Sequence, residues 1–294
     1  MSDLTSARTG VIHDIGYQRY QGPRLGRDYA LRSLYTYSLR SAFGLGRSFK
    51  SKIVPMTLGA FFIGPALLFT VLRSQGLETV TYIEFPAALT IPSVIFLALV
   101  APELVSRDLR DRTLPLYFSR PLSRTCYALA KAAALFSALM LLLSLALLIM
   151  YLGAVFSVEG GLTGVLDETG DFLQGLLNAA ILTAVPTSLS ILIASLSGRR
   201  VLASGMVVAL FMITAPVSTL LQEAAGSEDL QRLAGLLDPL TLTSGVTAWL
   251  FDVENYATYL TETSPYGLLY TLAAFILTVG SLLLLVLRYR KVAS

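Results

Sequence analysis

Residues Ala132–Phe156 read AAALFSALMLLLSLALLIMYLGAVF, 25 positions without one charged side chain. At 1.5 Å per residue, a helix of that length covers ~37 Å, more than the ~30 Å of hydrocarbon in a bilayer. Five further runs of similar character surround it: Ile53–Leu72, Tyr82–Leu104, Phe172–Leu196, Val201–Leu221 and Gly267–Leu287. The expected fold is therefore an all-α integral membrane protein with six transmembrane helices.

The charges divide between the two ends of those spans. Of 22 Lys and Arg residues, nine fall in residues 1–52 and six in Ser106–Lys131. Arg199 and Arg200 form a turn, and Arg288, Arg290 and Lys291 close the chain. Together that is 20 on one face; only Arg73 and Arg232 lie on the other, with 13 of the 19 acidic residues. Basic residues of short loops favour the cytoplasm, so an even number of spans predicts both termini inside. The composition, 54% hydrophobic and 14% charged, excludes a soluble globule, where ~25% charged is usual. The net charge of +3 follows membrane sidedness and does not mark a nucleic-acid patch. A lone cysteine, Cys126, excludes an internal disulfide.

Residues 1–52 form a polar, basic leader ahead of a single membrane domain, 53–294. The first apolar run follows too long a leader for a cleaved signal peptide and is expected to stay as an anchor. Met1–Gly26 lacks helical periodicity. From Asp28 to Leu45 a stripe of Leu31, Leu34, Tyr35, Ser38, Ala42 and Leu45 predicts an amphipathic, elbow-like helix, with Arg32, Arg40 and Arg47 off the stripe. Such a helix is expected in the lipid interface; a solvated helix packed on a partner is the alternative. On the outer face, Arg73–Thr81 is a short loop and Ser157–Asp171 a glycine-rich acidic one. In the long Gln222–Tyr266 connection, Pro239–Phe251 is apolar for 13 residues, too short to span. It is expected to be interfacial or re-entrant, with Trp249 as an anchor at headgroup level.

Groups for catalysis are scarce. The only histidine, His13, lies in the leader, no Asp lies within a run, and Glu84 and Glu103 sit at the ends of the second span. No G-x-x-x-x-G-K-[ST] loop occurs. The string Leu196–Arg200 is similar to the start of a transport-ATPase signature, but it occupies a tight turn between two spans. No catalytic, metal or cofactor residues are expected. The fourth span is the most polar, with Gln174, Asn178, Thr183, Thr187, Ser188 and Ser190 around Pro186. Asn178, Thr183, Thr187 and Ser190 are a candidate substrate path. The alternative is that these hydroxyls satisfy backbone groups freed by Pro186 and join helices. The small residues Ala130, Ala134 and Ala138 predict close helix packing.

The connection between spans two and three reads APELVSRDLRDRTLPLYFSRPLSR, Ala101–Arg124. Asp108 and Arg112 are four apart, the favourable order for an ion pair on a helix. Thr113 can cap a short helix that tolerates Pro115 in its first turn and stops at Pro121. Leu114, Tyr117 and Phe118 would form its apolar face, between Arg107, Asp111, Arg112 and Arg120. Such a helix fits a cleft in a soluble partner; a mere connector would not need the apolar face.

This stretch resembles the permeases of the type-2 class of ABC transporters. Their pattern has a Glu at the inner end of span two, a charged run, Gly-Thr-Leu, a Leu-rich turn, Ser-x-Pro, then Arg and a Lys opening span three. It falls here on Glu103, Arg107, Thr113, Leu114, Leu116, Ser119, Pro121, Arg124 and Lys131, with Arg112 in place of the usual Gly. The six spans, the helix before the first, and Asp238-Pro239-Leu240 before the last are also similar. The resemblance implies a permease subunit of an ATP-driven exporter in a bacterial inner membrane. It would be paired with a second copy or a paralogue and docked on two cytoplasmic ATPase subunits, which hold the ATP and Mg. An ion-driven secondary carrier and a non-transporting scaffold or sensor are the alternatives.

Overall fold

The computed structural model describes residues 22, 26–46, 49–77, 80–111, 117, 122–157, 161–253 and 266–292. Its helices are α1 (Arg27–Ala42), α2 (Phe49–Ser74), α3 (Phe85–Ala88), α4 (Thr90–Arg110), α5 (Arg124–Ser157) and α6 (Gly161–Leu196). They continue with α7 (Arg200–Ala224), α8 (Glu228–Ala234), a 3-10 turn Gly235–Leu237, α9 (Pro239–Phe251) and α10 (Tyr266–Val292). Six of them, α2, α4, α5, α6, α7 and α10, are long and apolar enough to cross a membrane. One corresponds to each apolar run of the sequence.

Burial separates an inner from an outer set. The most apolar windows of α4, α5 and α6 are 56%, 50% and 56% buried, against 17%, 22% and 22% for α2, α7 and α10. The outer three leave Phe61, Met212 and Phe275 exposed, a surface suited to lipid tails and not to water. In the inner layer Ala130, Ala134 and Ala138 are all buried, and their small size lets neighbouring helices approach α5 closely.

Two spans begin elsewhere than expected. The second is broken: Tyr82–Glu84 is a turn, α3 lasts four residues, and α4 starts at Thr90. Pro92 has no N–H for the carbonyl of Ala88, which removes a helical hydrogen bond just where the break at Leu89 falls. Its other end runs on to Arg110, carried by charge pairs at helical spacing, Arg107 with Glu103 and with Asp111. The fourth span starts earlier than its hydropathy indicates. Most of the expected acidic loop, Gly161 onward, forms the first three turns of α6, because Glu168 and Thr169 find partners on α2 and α5. Glu168 takes an ion pair from Arg73, and Thr169 shares a 2.9 Å hydrogen bond with Tyr151.

The expected leader helix is α1, and its stripe packs on the chain's own bundle. Leu34, Ser38 and Ala42 are buried, Leu31 and Tyr35 half-buried, and only Leu45 of the stripe is exposed. Arg27 reaches Ser123 and Cys126 at the start of α5. Tyr35 donates to Ser137 at 2.8 Å, so α1 climbs alongside α5.

The segment Pro239–Phe251 is a helix with the expected limits. Asp238 caps it by accepting from the amide of Thr241 at 2.8 Å, and Pro239 occupies the first turn. The same carboxylate accepts from Thr214 at 2.8 Å, ten residues and so ~15 Å in from the end of α7. Its buried face, Leu242, Thr243, Val246 and Thr247, packs into the bundle.

Candidate functional site

The end of the bundle holding Arg124, Arg200 and Arg288 is tied together by polar groups from five helices. Lys131 of α5 lies 2.8 Å from the carboxylate of Asp108 on α4, and Tyr127, one turn earlier on α5, donates to the same carboxylate at 2.5 Å. The Lys131 side chain is only 4% exposed and that of Asp108 14%, so a charge here requires its partner. Tyr289 of α10 packs its ring edge-on to Tyr127, centroids 5.2 Å apart. Tyr117, from the α4–α5 connection, lies against the same ring at 5.4 Å. This joins the connection to α4, α5 and α10 in one cluster.

A second set closes the last turn of α6. Four carbonyls at a helix C-terminus have no intrahelical donor. Ser106 donates to that of Ala194 at 2.9 Å and Arg288 to that of Ser195 at 2.7 Å; the cation also complements the helix dipole. Arg124 likewise donates to the carbonyl of Arg290 at 2.7 Å. Glu103 is held by Arg200 at 2.9 Å and more loosely by Arg107 at 3.6 Å.

The predicted coupling residues therefore fall into two groups. Glu103, Arg107, Asp108 and Asp111 all lie in this network, and Tyr117 packs inward, half-buried. The hydrogen bond from Arg110, with the charges of Arg110 and Arg107, holds the Asp111 carboxyl below its ordinary range. Arg112, Thr113, Leu114, Pro115, Leu116, Phe118 and Arg120 lie outside the described residues, with Ser119 and Pro121, so the short helix and the Asp108–Arg112 pair lie there too. Sequence reasoning missed Tyr127, Tyr289 and Arg200. Tyr127 was findable, because it stands four residues before Lys131 and so on the same helix face.

The candidate substrate path splits as well. Asn178 donates to the carbonyl of Ile83 at 2.6 Å and accepts from Thr247 of α9 at 2.5 Å. It joins three segments. Thr183 donates to the carbonyl of Ala179 in its own helix at 2.8 Å and lines a cavity of about 30 Å³. A single water requires ~10–15 Å³ on this scale, so the space admits no cargo in this conformation. Thr187 and Ser190 are buried with no hydrogen-bond partner for their hydroxyls.

The opposite end carries its own closure. Arg73 of α2 pairs with Glu168 of α6, and Tyr82 donates to Glu168 at 2.8 Å. Burial, and then that hydrogen bond, push the Tyr82 phenol above its ordinary range. Arg232 finds Glu228 at 3.1 Å. Both basic residues of this end thus have carboxylate partners. Among the described residues no group of three or more His, Cys, Asp or Glu is placed to hold a metal. Comparison with known proteins finds no family model and no curated protein that matches the chain.

Proposed function

We propose that the chain is the membrane-embedded permease subunit of an ATP-driven exporter. A separate cytoplasmic ATPase would grip the connection 106–125, and ATP and Mg would be held by that partner. The observation that carries the reading is the contact of Tyr117 with Tyr127. A connection whose aromatic residue packs on a buried Tyr127–Asp108–Lys131 group, itself against Tyr289, is in direct contact with the group that joins α4, α5 and α10. That is the mechanical property a coupling loop requires. The resemblance of Glu103–Lys131 to type-2 ABC permeases supports it, as does the charge pattern that places this end in the cytoplasm. The same resemblance implies an inner-membrane location in a bacterium, with a second permease copy or paralogue beside the chain and two ATPases below.

In this arrangement Leu114 and Phe118 make the docking face, while Tyr117 transmits the movement inward. ATP-driven closure of the ATPase pair would tilt the spans between inward- and outward-facing states. The test is isolation of the chain from its native membranes in mild detergent. An ATPase is expected to accompany it, and Leu114→Asp with Phe118→Asp is expected to release it. Recovery of an active transporter without any ATPase, or retention of the ATPase by that double variant, overturns the proposal.

A further inference from the structure

The cavity beside Pro186 has an unusual chemical balance. Pro186 has no N–H, so the carbonyl of Leu182, one turn earlier in α6, loses its intrahelical donor. Leu182 and Pro186 both line the cavity, as do Thr90 and Ser93 of α4, Thr183 of α6, and Thr243 and Ser244 of α9. Four of the five hydroxyls are engaged elsewhere. Thr90 donates to the carbonyl of Ala87 at 2.6 Å and Thr183 to that of Ala179 at 2.8 Å. Thr243 and Ser244 both donate to the carbonyl of Leu240, at 2.9 and 3.0 Å. With their protons directed at nearby backbone carbonyls, these four groups have lone pairs left to accept with. Ser93 makes no side-chain hydrogen bond to the described residues, so its hydroxyl adds one donor to a polar wall otherwise made of acceptors, and the rest is mainly aliphatic. The complementary occupant is a small group that both donates and accepts.

The volume narrows the choice. About 30 Å³ suits one or two waters, each needing ~10–15 Å³ and two to four polar partners. An independent sign of polar capacity that protein groups leave unused lies further along the same face of α6. Thr187 and Ser190, at i+4 and i+7 from Thr183, are 3% and 0% exposed with unpartnered hydroxyls. Buried polar groups are nearly always satisfied, by ordered water where protein does not reach.

We propose that one or two ordered waters occupy this cavity. They donate to the Leu182 carbonyl in place of the amide that Pro186 lacks, and they bridge α6 to the first turns of α9. A bridging water can shift with the carbonyl it serves, so α6 can bend at Pro186 without stranding a buried carbonyl. The inference does not depend on the transport reading.

The deciding measurement is a cryo-EM map in lipid nanodiscs at a resolution that shows waters. In the native chain, density is expected within hydrogen-bond distance of the Leu182 carbonyl. Pro186→Ala restores an amide donor, so that density is expected to be lost. Should Pro186→Ala fail to fold, Ser244→Ala, which removes one acceptor, is expected to weaken the density instead. Native maps without density there overturn the proposal, as does density unaltered by the variant. Density that disappears when sodium and potassium are replaced by choline also overturns it, because the occupant would then be a metal cation.

Discussion

The ammonium of Lys131 and the carboxylate of Asp108 meet 2.8 Å apart at a place almost closed to solvent. They join the second and third membrane-length helices just where the connection between them begins and ends. Removing one member leaves the other charge buried and uncompensated, which costs about 3–5 kcal/mol. Lys131→Met is therefore expected to lower the unfolding temperature in detergent sharply. Adding Asp108→Leu to it is expected to restore much of the loss. Equal melting of Lys131→Met and the native protein would show that the pair does not hold the two helices.

Tyr117 and Tyr127 predict a second, separable effect. Their ring contact is worth about 0.5–1.5 kcal/mol beyond burial, small against overall stability, and in the proposed function it is the step that carries movement inward. Tyr117→Phe is expected to keep coupling and Tyr117→Ser to lose it, with the ATPase still bound and still hydrolysing. Transport per ATP hydrolysed is the readout. Unaltered stoichiometry in Tyr117→Ser would remove Tyr117 from the coupling route.

Two glycines of α6 give opposite expectations. A methyl group at Gly175 would stand 2.7 Å from the carbonyl oxygen of Tyr82, where a backbone atom has no room to yield. Gly175→Ala is expected to destabilise by about 1–3 kcal/mol through overpacking. At Gly170 a methyl group meets nothing within 4 Å, so Gly170→Ala is expected to stabilise by up to about 1 kcal/mol through helix propensity. Thermal unfolding of both variants in one detergent checks the pair, and the same sign for both would refute it.

Asn178 links α6 to the carbonyl of Ile83 and to Thr247 of α9. Asn178→Leu is expected to cost about 1–3 kcal/mol, because it removes two hydrogen bonds in a buried place, one to the carbonyl of Ile83 and one from Thr247. Thr247→Val tests the α9 half alone and is expected to cost about 0.6–2 kcal/mol, the range for such bonds between membrane helices. If Asn178 contacts cargo instead, its variant would melt normally while transport changed.

Much of this architecture is visible in the primary structure. Each of the six membrane-length helices coincides with an apolar run, because length and hydrophobicity act locally. The limits of α9 were equally legible, since Asp238 and Pro239 are a local cap. Other limits were not. Gly161–Asp171 has the composition of a loop, yet it is helical where Glu168 meets Arg73 from almost a hundred residues away. Nothing near Glu168 in the chain announces that contact.

The end of the bundle that holds Glu103 and Asp108 shows the same division. Glu103, Arg107 and Asp108 could be singled out from a short charged stretch, but their partners could not. Asp108 is held by Lys131 across a connection, and Glu103 by Arg200 from a turn between two other spans. Periodicity and charge sidedness arise from chain neighbours and the solvent, so they survive in one dimension. Which buried charge meets which, and which hydroxyls close on a water-sized cavity, depends on how six helices rotate and settle against one another. Packing alone decides that.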